Sequence, residues 1–167
     1  MRRILAILII ILFFSRINPV YTQDFKFGFI NLKKVLDNYE KVKDGEDALL
    51  KEAEKKNKQR EKLVKEIKRL REKIDLLKDK QKEKKQQELD EKVKQLQDLT
   101  YETRTSLRRE RDEKFREIMK EIKDVVEEYG QSRNYKMIID DALLIYQDSS
   151  LDITDEIIKT LNQRYKK

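Results

Sequence analysis

The 167-residue sequence contains no cysteine and no histidine, and it has only one proline and three glycines. Without cysteine and histidine the chain cannot form a disulfide, a thiolate or imidazole metal site, or a Ser-His-Asp triad. An enzyme would have to work with carboxylates, lysine, tyrosine or arginine alone. We therefore expect no enzymatic activity, no catalytic or metal-binding residue and no cofactor.

The residues that dominate instead are charged. They make up 44% of the chain against 38% hydrophobic residues, and the mean hydropathy of -0.88 is too polar for a conventional globule of this length. The scarcity of proline and glycine separates the composition from that of a disordered chain. Abundant lysine, glutamate, arginine and leucine with few helix breakers is typical of long helices and coiled coils.

The N-terminus has the pattern of a secretory signal. A basic start, Met1-Arg2-Arg3, precedes an uncharged apolar run at residues 4–14. Eleven apolar residues are too few for a bilayer span, which needs about 20, so we predict a signal peptide over residues 1–22, cleaved near residue 22, and export. Its removal lowers the net charge from +7 to +4, because residues 1–22 contain three arginines and no acid. The alternative is an uncleaved membrane anchor.

A strand is predicted after the signal. Phe25, Phe27 and Phe29 alternate onto one face, and Ile30 and Leu32 lie on the other, which indicates a strand buried at its end. The apolar residues from Val35 onward then change to helical spacing. Gly45 is the first breaker in this helix and is expected to kink it.

A long helical hairpin is predicted next, because residues 46–129 contain neither glycine nor proline. Three apolar series have heptad spacing. The series ending at Leu77 and the one beginning at Leu89 differ in phase, so a reversal between residues 79 and 87 is expected, with the two arms packing antiparallel. Each arm is about 70 Å long at 1.5 Å per residue. The three series are Leu63, Ile67, Leu70, Ile74 and Leu77; Leu89, Val93 and Leu96; and Phe115, Ile118, Ile122, Val125 and Tyr129.

The C-terminal part has the pattern of a small β-β-α unit. Gly130 is expected to cap the hairpin. Two short apolar strands follow, at residues 136–139 and 143–146, with a turn at Asp140-Asp141 between them. Asp152 or Thr154 is predicted to cap a last helix with one apolar face. That face comprises Ile153, Ile157, Leu161 and Tyr165.

These elements predict an α+β fold that is mostly α. Residues 23–45 and 131–167 form a β-containing body, and residues 46–130 form a coiled-coil hairpin with its tip near 79–87, inserted between the body's strands. A body with about three strands and two short helices buries little core by itself. We therefore expect several bodies to associate and share their sheets.

The order of these elements resembles the Skp (OmpH-like) family of periplasmic chaperones. The resemblance lies in residues 27–36 (FGFINLKKVL), residues 135–142 (YKMIIDDA) and residues 150–158 (SLDITDEII), which are similar to the family's first strand, its second strand and turn, and the start of its last helix. The resemblance implies a homotrimer in which the β bodies form a trimerisation unit and three hairpins surround a cavity. It further implies an ATP-independent periplasmic holdase whose partners are unfolded outer-membrane β-barrel proteins.

Two groups of residues are candidates for these contacts. Lipopolysaccharide or anionic lipid is a further candidate ligand, whereas a nucleic-acid partner is not expected. The candidates for the trimer interface and core are Phe25, Phe27, Phe29, Ile30, Met137, Ile138, Ile139, Leu143, Leu144, Ile145 and Tyr146. The candidates for contact with a client or an anionic ligand are Lys78, Lys80, Lys82, Lys84, Lys85, Arg108, Arg109 and Arg111.

Each group also has a plainer explanation. The basic residues near the tip can belong to a solvated turn, and the arginines can form ordinary ion pairs along a helix. For the whole chain, the alternative function is a membrane-anchored structural coiled coil of the cell envelope. That alternative requires residues 1–22 to remain attached.

Overall fold

The computed structural model describes residues 25–166, so the predicted signal segment lies outside the described residues. Two helices, α2 (Glu40–Ile74) and α3 (Asp79–Ser132), form a long antiparallel hairpin, joined near the body by Lys41–Glu117 and nearer the tip by Glu66–Lys92. This confirms the predicted fold class. The elements are β1 (Lys26–Ile30), α1 (Leu32–Asn38), α2 (Glu40–Ile74), α3 (Asp79–Ser132), β2 (Tyr135–Asp140), 3-10 turns at Asp141–Leu143 and Ser149–Leu151, and α4 (Thr154–Tyr165).

The sheet consists of two parallel strands. β1 pairs with β2, with Phe29 opposite Ile139, and the whole hairpin forms the crossover between them. Parallel strands need such a crossover because a tight turn cannot join them. The sheet therefore brings the two ends of the described chain together to form the body.

The predicted third strand, Leu143 to Tyr146, is wrong. β2 ends at Asp140, whose carboxylate accepts a hydrogen bond from the Ala142 N–H at 3.3 Å, and a 3-10 turn begins directly afterwards. A side chain that bonds its own backbone two residues on favours a turn over a strand. The segment then continues without regular structure as far as Ser149.

The body has one compact core. It contains nine buried residues, drawn from β1, α1, the α1–α2 junction, the last third of α3, and α4 with the residue before it. Ile157 and Leu161 of α4 are almost completely buried, which confirms the predicted apolar face of that helix except at Tyr165, which is exposed. The nine residues are Ile30, Val35, Tyr39, Ile118, Ile122, Val125, Ile153, Ile157 and Leu161.

The helix entering the hairpin breaks at Tyr39 and not at Gly45. Tyr39 has an extended backbone between α1 and α2, whereas Gly45 lies inside α2. Asn162 of α4 stabilises the break, because its side chain accepts from the Glu40 N–H at 2.8 Å and donates to the Asn38 carbonyl at 3.1 Å. A buried aromatic ring and one amide thus produce the bend that we expected from a glycine.

The hairpin reverses at residues 75–78, before the predicted tip at 79–87. The N–H groups of Asp75, Leu76 and Leu77 donate to carbonyls of the last turn of α2. Residues 79–87 are the first turns of α3. The lysines, glutamines and glutamates of these residues favour a helix. The heptad phase therefore changes in the turn at residues 75–78, just before α3 begins.

Gly130 does not cap the hairpin. α3 continues to Ser132, and Asn134 has the positive φ of 60° that a chain reversal there requires; asparagine tolerates this conformation. Gly130 instead allows a close approach between helix and strand, since a Cβ on it would lie 3.2 Å from Cδ1 of Ile138.

The hairpin carries a second core near its tip. This tip cluster consists of Ile67, Leu70, Ile74 and Leu89, with Val93 and Leu96 packed against it. Between the body core and the tip cluster, residues 40–66 of α2 and 90–117 of α3 include no buried residue. Phe115, which heptad spacing assigned to a core position, is 53% exposed.

Candidate functional site

Asn31, which follows β1, connects several elements of the body by hydrogen bonds. Its backbone N–H donates to Thr154 Oγ1 at 2.9 Å, and its Nδ2 donates to Asp141 Oδ2 at 2.7 Å. Its Oδ1 accepts from the Lys34 N–H at 2.6 Å and so caps α1. Through its backbone and its side chain, this one residue therefore joins the end of β1 to α1, to the turn after β2 and to the start of α4.

The segment before α4 adds two more bonds. The Ile153 N–H donates to the Phe29 carbonyl at 3.0 Å, and the Asp152 carboxylate accepts from the Thr154 N–H at 2.8 Å. Thr154 is only 1% exposed, and its hydroxyl and its backbone N–H are both hydrogen-bonded, to Asn31 and to Asp152. The N-cap position of α4 is Ile153, which makes no side-chain cap bond, and not Asp152 or Thr154 as predicted. Asp152 instead accepts from the first N–H of the helix, that of Thr154.

The predicted interface residues divide into three groups. Phe29 is buried and Ile30 belongs to the body core, whereas Ile138, Ile139 and Leu144 are half-buried. The remaining six are exposed in the single chain, with Ile145 having no covering atoms at all. These six form what we call the apolar body surface: Phe25, Phe27, Met137, Leu143, Ile145 and Tyr146.

The root of the hairpin, where α2 and α3 meet the body near Lys41 and Glu117, is stabilised by a polar network. Tyr39 donates its hydroxyl hydrogen to Glu121 at 2.8 Å, and Lys41 binds both Glu117 and Glu121. Burial raises the pKa of Tyr39, and the hydrogen bond to Glu121 raises it further. These contacts line a cleft of about 370 Å³ where α4 meets the hairpin.

The charges of this network reinforce one another. Burial alone would lower the pKa of Lys41, but the hydrogen bonds to Glu117 and Glu121 outweigh it, so the pKa is raised. The same bond from Lys41 lowers the pKa of Glu117. In the same cleft, Arg164 binds Glu128. The network therefore fixes the direction in which the hairpin leaves the body.

The predicted basic residues lie in two separate places. Lys78 precedes α3, and Lys80, Lys82, Lys84 and Lys85 are in its first turns near the tip. Of these, Lys85 pairs with Glu88 along the helix. The three predicted arginines lie near the middle of α3 and pair within it: Arg108 with Asp112, Arg109 with Glu113, and Arg111 with Asp112.

The middle of the hairpin is lined by basic grooves on its outer faces. One groove, about 520 Å³, lies along α2 beside Lys51, Lys55, Lys58 and Lys62. The other, about 480 Å³, lies along α3 and adds two residues that the sequence reasoning missed as candidates, Tyr101 and Arg104. Arg104 lies four residues before Arg108, and Tyr101 lies three residues before Arg104; this helical spacing is the signal that could have found them.

The comparisons with known proteins fit this architecture. The sequence profile of the family described as outer membrane protein (OmpH-like) matches residues 26–161, which includes both strands, the hairpin and most of α4. The chain belongs to the OmpH-like family. Residues 27–36, 135–142 and 150–158, which carried the sequence resemblance, are the segments that the structure brings together in the body.

A solved structure has the same fold. A candidate outer membrane chaperone, OmpH-like, from Caulobacter crescentus CB15 is similar to this chain with a TM-score of 0.76 and 12% identity, over 87% of this chain and 92% of that one. At that identity the likeness shows the fold alone. No curated protein matches the chain.

Two further features of the described residues concern metal ions and membranes. Among residues 25–166, no group of three or more acidic side chains is placed to hold a metal ion. None of the helices in that range is long and apolar enough to cross a membrane.

Proposed function

We propose that this OmpH-like protein is an ATP-independent periplasmic holdase, which keeps unfolded outer-membrane β-barrel proteins soluble until they are inserted. Its family and its likeness to an outer membrane chaperone support a chaperone-type role. The observation that carries the proposal is the hairpin's middle, residues 40–66 and 90–117, which extends away from the body without one buried residue.

Such a hairpin suits a client that has no fixed shape. Unfolded barrel strands expose alternating apolar residues and unpaired edges that aggregate readily. The long stems of lysine and arginine offer apolar surface beneath a charged head, and the outer grooves of the hairpin are lined by them. Many weak contacts of this kind hold a client and still release it without ATP.

The apolar body surface supports assembly as a homotrimer. Phe25 stacks on Phe27, and Phe27 lies opposite Met137 in the sheet, so these exposed side chains are neighbours. A soluble single chain seldom leaves such an apolar patch uncovered, and in the described chain β2 pairs on one side only, with β1. We propose that neighbouring copies cover this surface and continue the sheet. Three hairpins would then enclose a cavity between them.

The holdase activity is tested by diluting an unfolded outer-membrane barrel protein from urea with and without a molar excess of this chain, while light scattering is recorded. We expect the chain to suppress scattering strongly, with no ATP present. If the client aggregates equally in both samples, the proposal is wrong.

A shortened variant provides the matched control. Replacing residues 60–98 by a three-residue glycine-containing turn cuts α2 and α3 at the same level, according to the register that Lys41–Glu117 and Glu66–Lys92 define. It leaves the body core untouched. We expect the variant to keep its oligomeric state and to lose holding.

Assembly is tested by the mass in solution. We expect a trimer for the natural sequence and a monomer for I145E/Y146E, because a buried charge without a partner destabilises an interface. A folded, stable monomer of the natural sequence would contradict the trimer. The mass of the mature protein also tests export, since cleavage near residue 22 excludes the anchored coiled coil.

A further inference from the structure

The apolar series of α2 is interrupted between the tip cluster and the body. Counting back from Leu63 in the same alternating steps of three and four residues reaches Arg60, Lys56 and Ala53. Two cations and one small side chain therefore occupy positions where the rest of the series has leucine or isoleucine. Because an unpaired charge is costly to bury and alanine fills little volume, this stretch of the hairpin cannot close into a core.

At this interruption a cleft of about 250 Å³ lies between α2 and α3. Leu99, Thr103 and Leu107 of α3 line it together with Ala53 of α2, and these four residues are all half-buried. The walls of the cleft are mostly carbon. Since an engineered apolar cavity of about 150 Å³ is large enough to bind benzene, the cleft has the size and the lining to take one aromatic or large aliphatic side chain.

Three cations stand at the rim of this cleft, the half-buried Lys56 and the exposed Arg60 and Arg104. Arg60 donates from Nε and Nη2 to the side-chain oxygen of Asn57, at 3.1 and 3.0 Å, so its charge has a neutral partner. None of the described residues that line the cleft is acidic, and the ion pairs of the described chain involve none of the three cations. The rim therefore offers positive charge for a carboxylate to neutralise.

We propose that the cleft binds the C-terminal residue of an unfolded client when that residue is aromatic or large and aliphatic. Its side chain enters between α2 and α3 beside Leu99 and Leu107, and its terminal carboxylate pairs with the three cations at the rim. The apolar walls and the positive rim thus match the two groups of one residue. This inference rests on the proposed holdase function, since it names the part of a client that the middle of the hairpin binds.

A terminal residue fits better than an apolar residue inside the client chain. Consecutive side chains of an extended strand point to opposite faces, so an apolar residue and an acid next to it cannot enter the cleft and reach its rim together. In a C-terminal residue the side chain and the carboxylate are attached to the same Cα, and both reach the site at once. The free end of a chain also enters without a second length of chain having to pass the rim.

Occupation of the cleft supplies the side chain that the apolar series lacks. The bound residue covers Leu99 and Leu107 and so connects the body core with the tip cluster through a packed middle. A charge pair that stays in contact with solvent contributes little free energy, so the client end remains exchangeable without ATP. We expect the middle of the hairpin to stiffen reversibly when a client is held there.

The absence of tryptophan from the chain makes a direct test possible. A glycine-serine peptide that ends in tryptophan is titrated with the full mature protein, and the emission of the peptide is recorded. We expect a blue shift, because the indole ring leaves water. The same peptide with an amidated C-terminus should bind about threefold to fivefold more weakly, and a peptide of the same composition with tryptophan at its centre about tenfold more weakly.

Two variants and a matched control assign the binding to the cleft. T103F fills the cleft from within and should weaken binding of the free-acid peptide about tenfold. R60Q/R104Q should lose most of the preference for the free acid over the amide. The control K65Q/K94Q removes the same charge from the same two helices outside the cleft and should change binding by about twofold at most. Circular dichroism and the mass in solution verify that all three variants fold and assemble.

Three results would overturn the inference. The first is equal affinity of the natural sequence for the free-acid and the amidated peptide, and the second is unchanged peptide binding by T103F. The third is complete displacement of the peptide by an equal concentration of palmitate, which would make the cleft a fatty-acid site. The light-scattering assay separates this inference from the holdase function: a protein that keeps a full-length client soluble but does not shift the peptide emission is a holdase without this site, and the opposite result leaves the site without the holdase.

Discussion

The body and the middle of the hairpin differ in how many residues they bury. The body places nine buried residues from five segments in one core and joins β1 to α4 through Asn31 and Thr154. The middle of the hairpin, residues 40–66 and 90–117, buries none. The comparison teaches that the hairpin is held mainly at its two ends, so its centre is free to bend and to expose its side chains.

The largest effect should follow from damage to the body core. Ile157 is completely buried, and I157A should lower the free energy of unfolding by about 2–5 kcal/mol, because it leaves a cavity. The half-buried Leu99, in the middle of the hairpin, provides the comparison, and L99A should cost less than about 1 kcal/mol. Urea titration followed by circular dichroism measures both. If I157A and L99A lower the free energy of unfolding equally, the middle of the hairpin contributes as much to stability as the body core does.

Replacing one glycine by alanine in the body and one in the hairpin compares the two regions through the same chemical change. A Cβ on Gly28 would lie 2.8 Å from Cε1 of Tyr135, whereas one on Gly45 meets Lys114 at an ordinary 3.8 Å. We expect G28A to destabilise the protein by about 1–3 kcal/mol, because the ring must move. G45A should stabilise it by about 0.5–1 kcal/mol, as alanine favours a helix. Thermal unfolding of the two variants distinguishes these signs, and stabilisation by G28A would disprove the close approach.

Filling the middle of the hairpin should make the two regions more alike. Lys56 and Thr103 line a cleft of about 250 Å³ between α2 and α3, with Ala53 and Leu107 nearby. K56L/T103L should slow amide exchange in the middle by the equivalent of about 1–2 kcal/mol, because apolar area becomes buried. Exchange in the body should not change. If exchange in the middle stays as fast as before, the missing core is not the cause of its flexibility.

The smallest effect is a pH dependence at the root of the hairpin. Lys41 lowers the pKa of Glu117 below its ordinary value of 4.5. The contribution of Glu117 to stability is therefore complete above pH 4.5 and is lost as the pH falls through the folded-state pKa. E117Q should unfold with less dependence on pH between 5 and 3 than the natural sequence.

Glu113 provides the control for this measurement, since its partner Arg109 is 4.0 Å away on the same helix. E113Q should keep most of the natural pH dependence. If E113Q and E117Q behave identically, the Lys41 network is not what fixes the hairpin at its root.

The sequence was most informative where a pattern repeats over many residues. The absence of glycine and proline and the phase change between Leu77 and Leu89 were sufficient to predict an antiparallel hairpin. The last helix, with Ile153, Ile157 and Leu161 on one face, was also predicted. Long periodic patterns average over many side chains, so one tertiary contact cannot overturn them.

The sequence-based predictions were wrong where a single tertiary contact determines the local structure. Tyr39 breaks the helix because Asn162, 123 residues away, bonds both sides of the break. Leu143–Tyr146 is apolar enough for a strand, but Asp140 starts a turn first. At the candidate site, composition predicted basic clusters, but not the cleft between Lys56 and Thr103, because that depends on how α2 and α3 pack against each other.

The parallel pairing of β1 with β2 has a consequence for the order of folding. The partner strand of β1 follows more than a hundred residues later in the chain, and Thr154, which bonds the end of β1, follows later still. The hairpin can instead grow from its turn, where the contacting residues are close in sequence and meet quickly. We therefore expect the hairpin to form while β1 is still unpaired, and the body to fold only when β2 and the last helix join it.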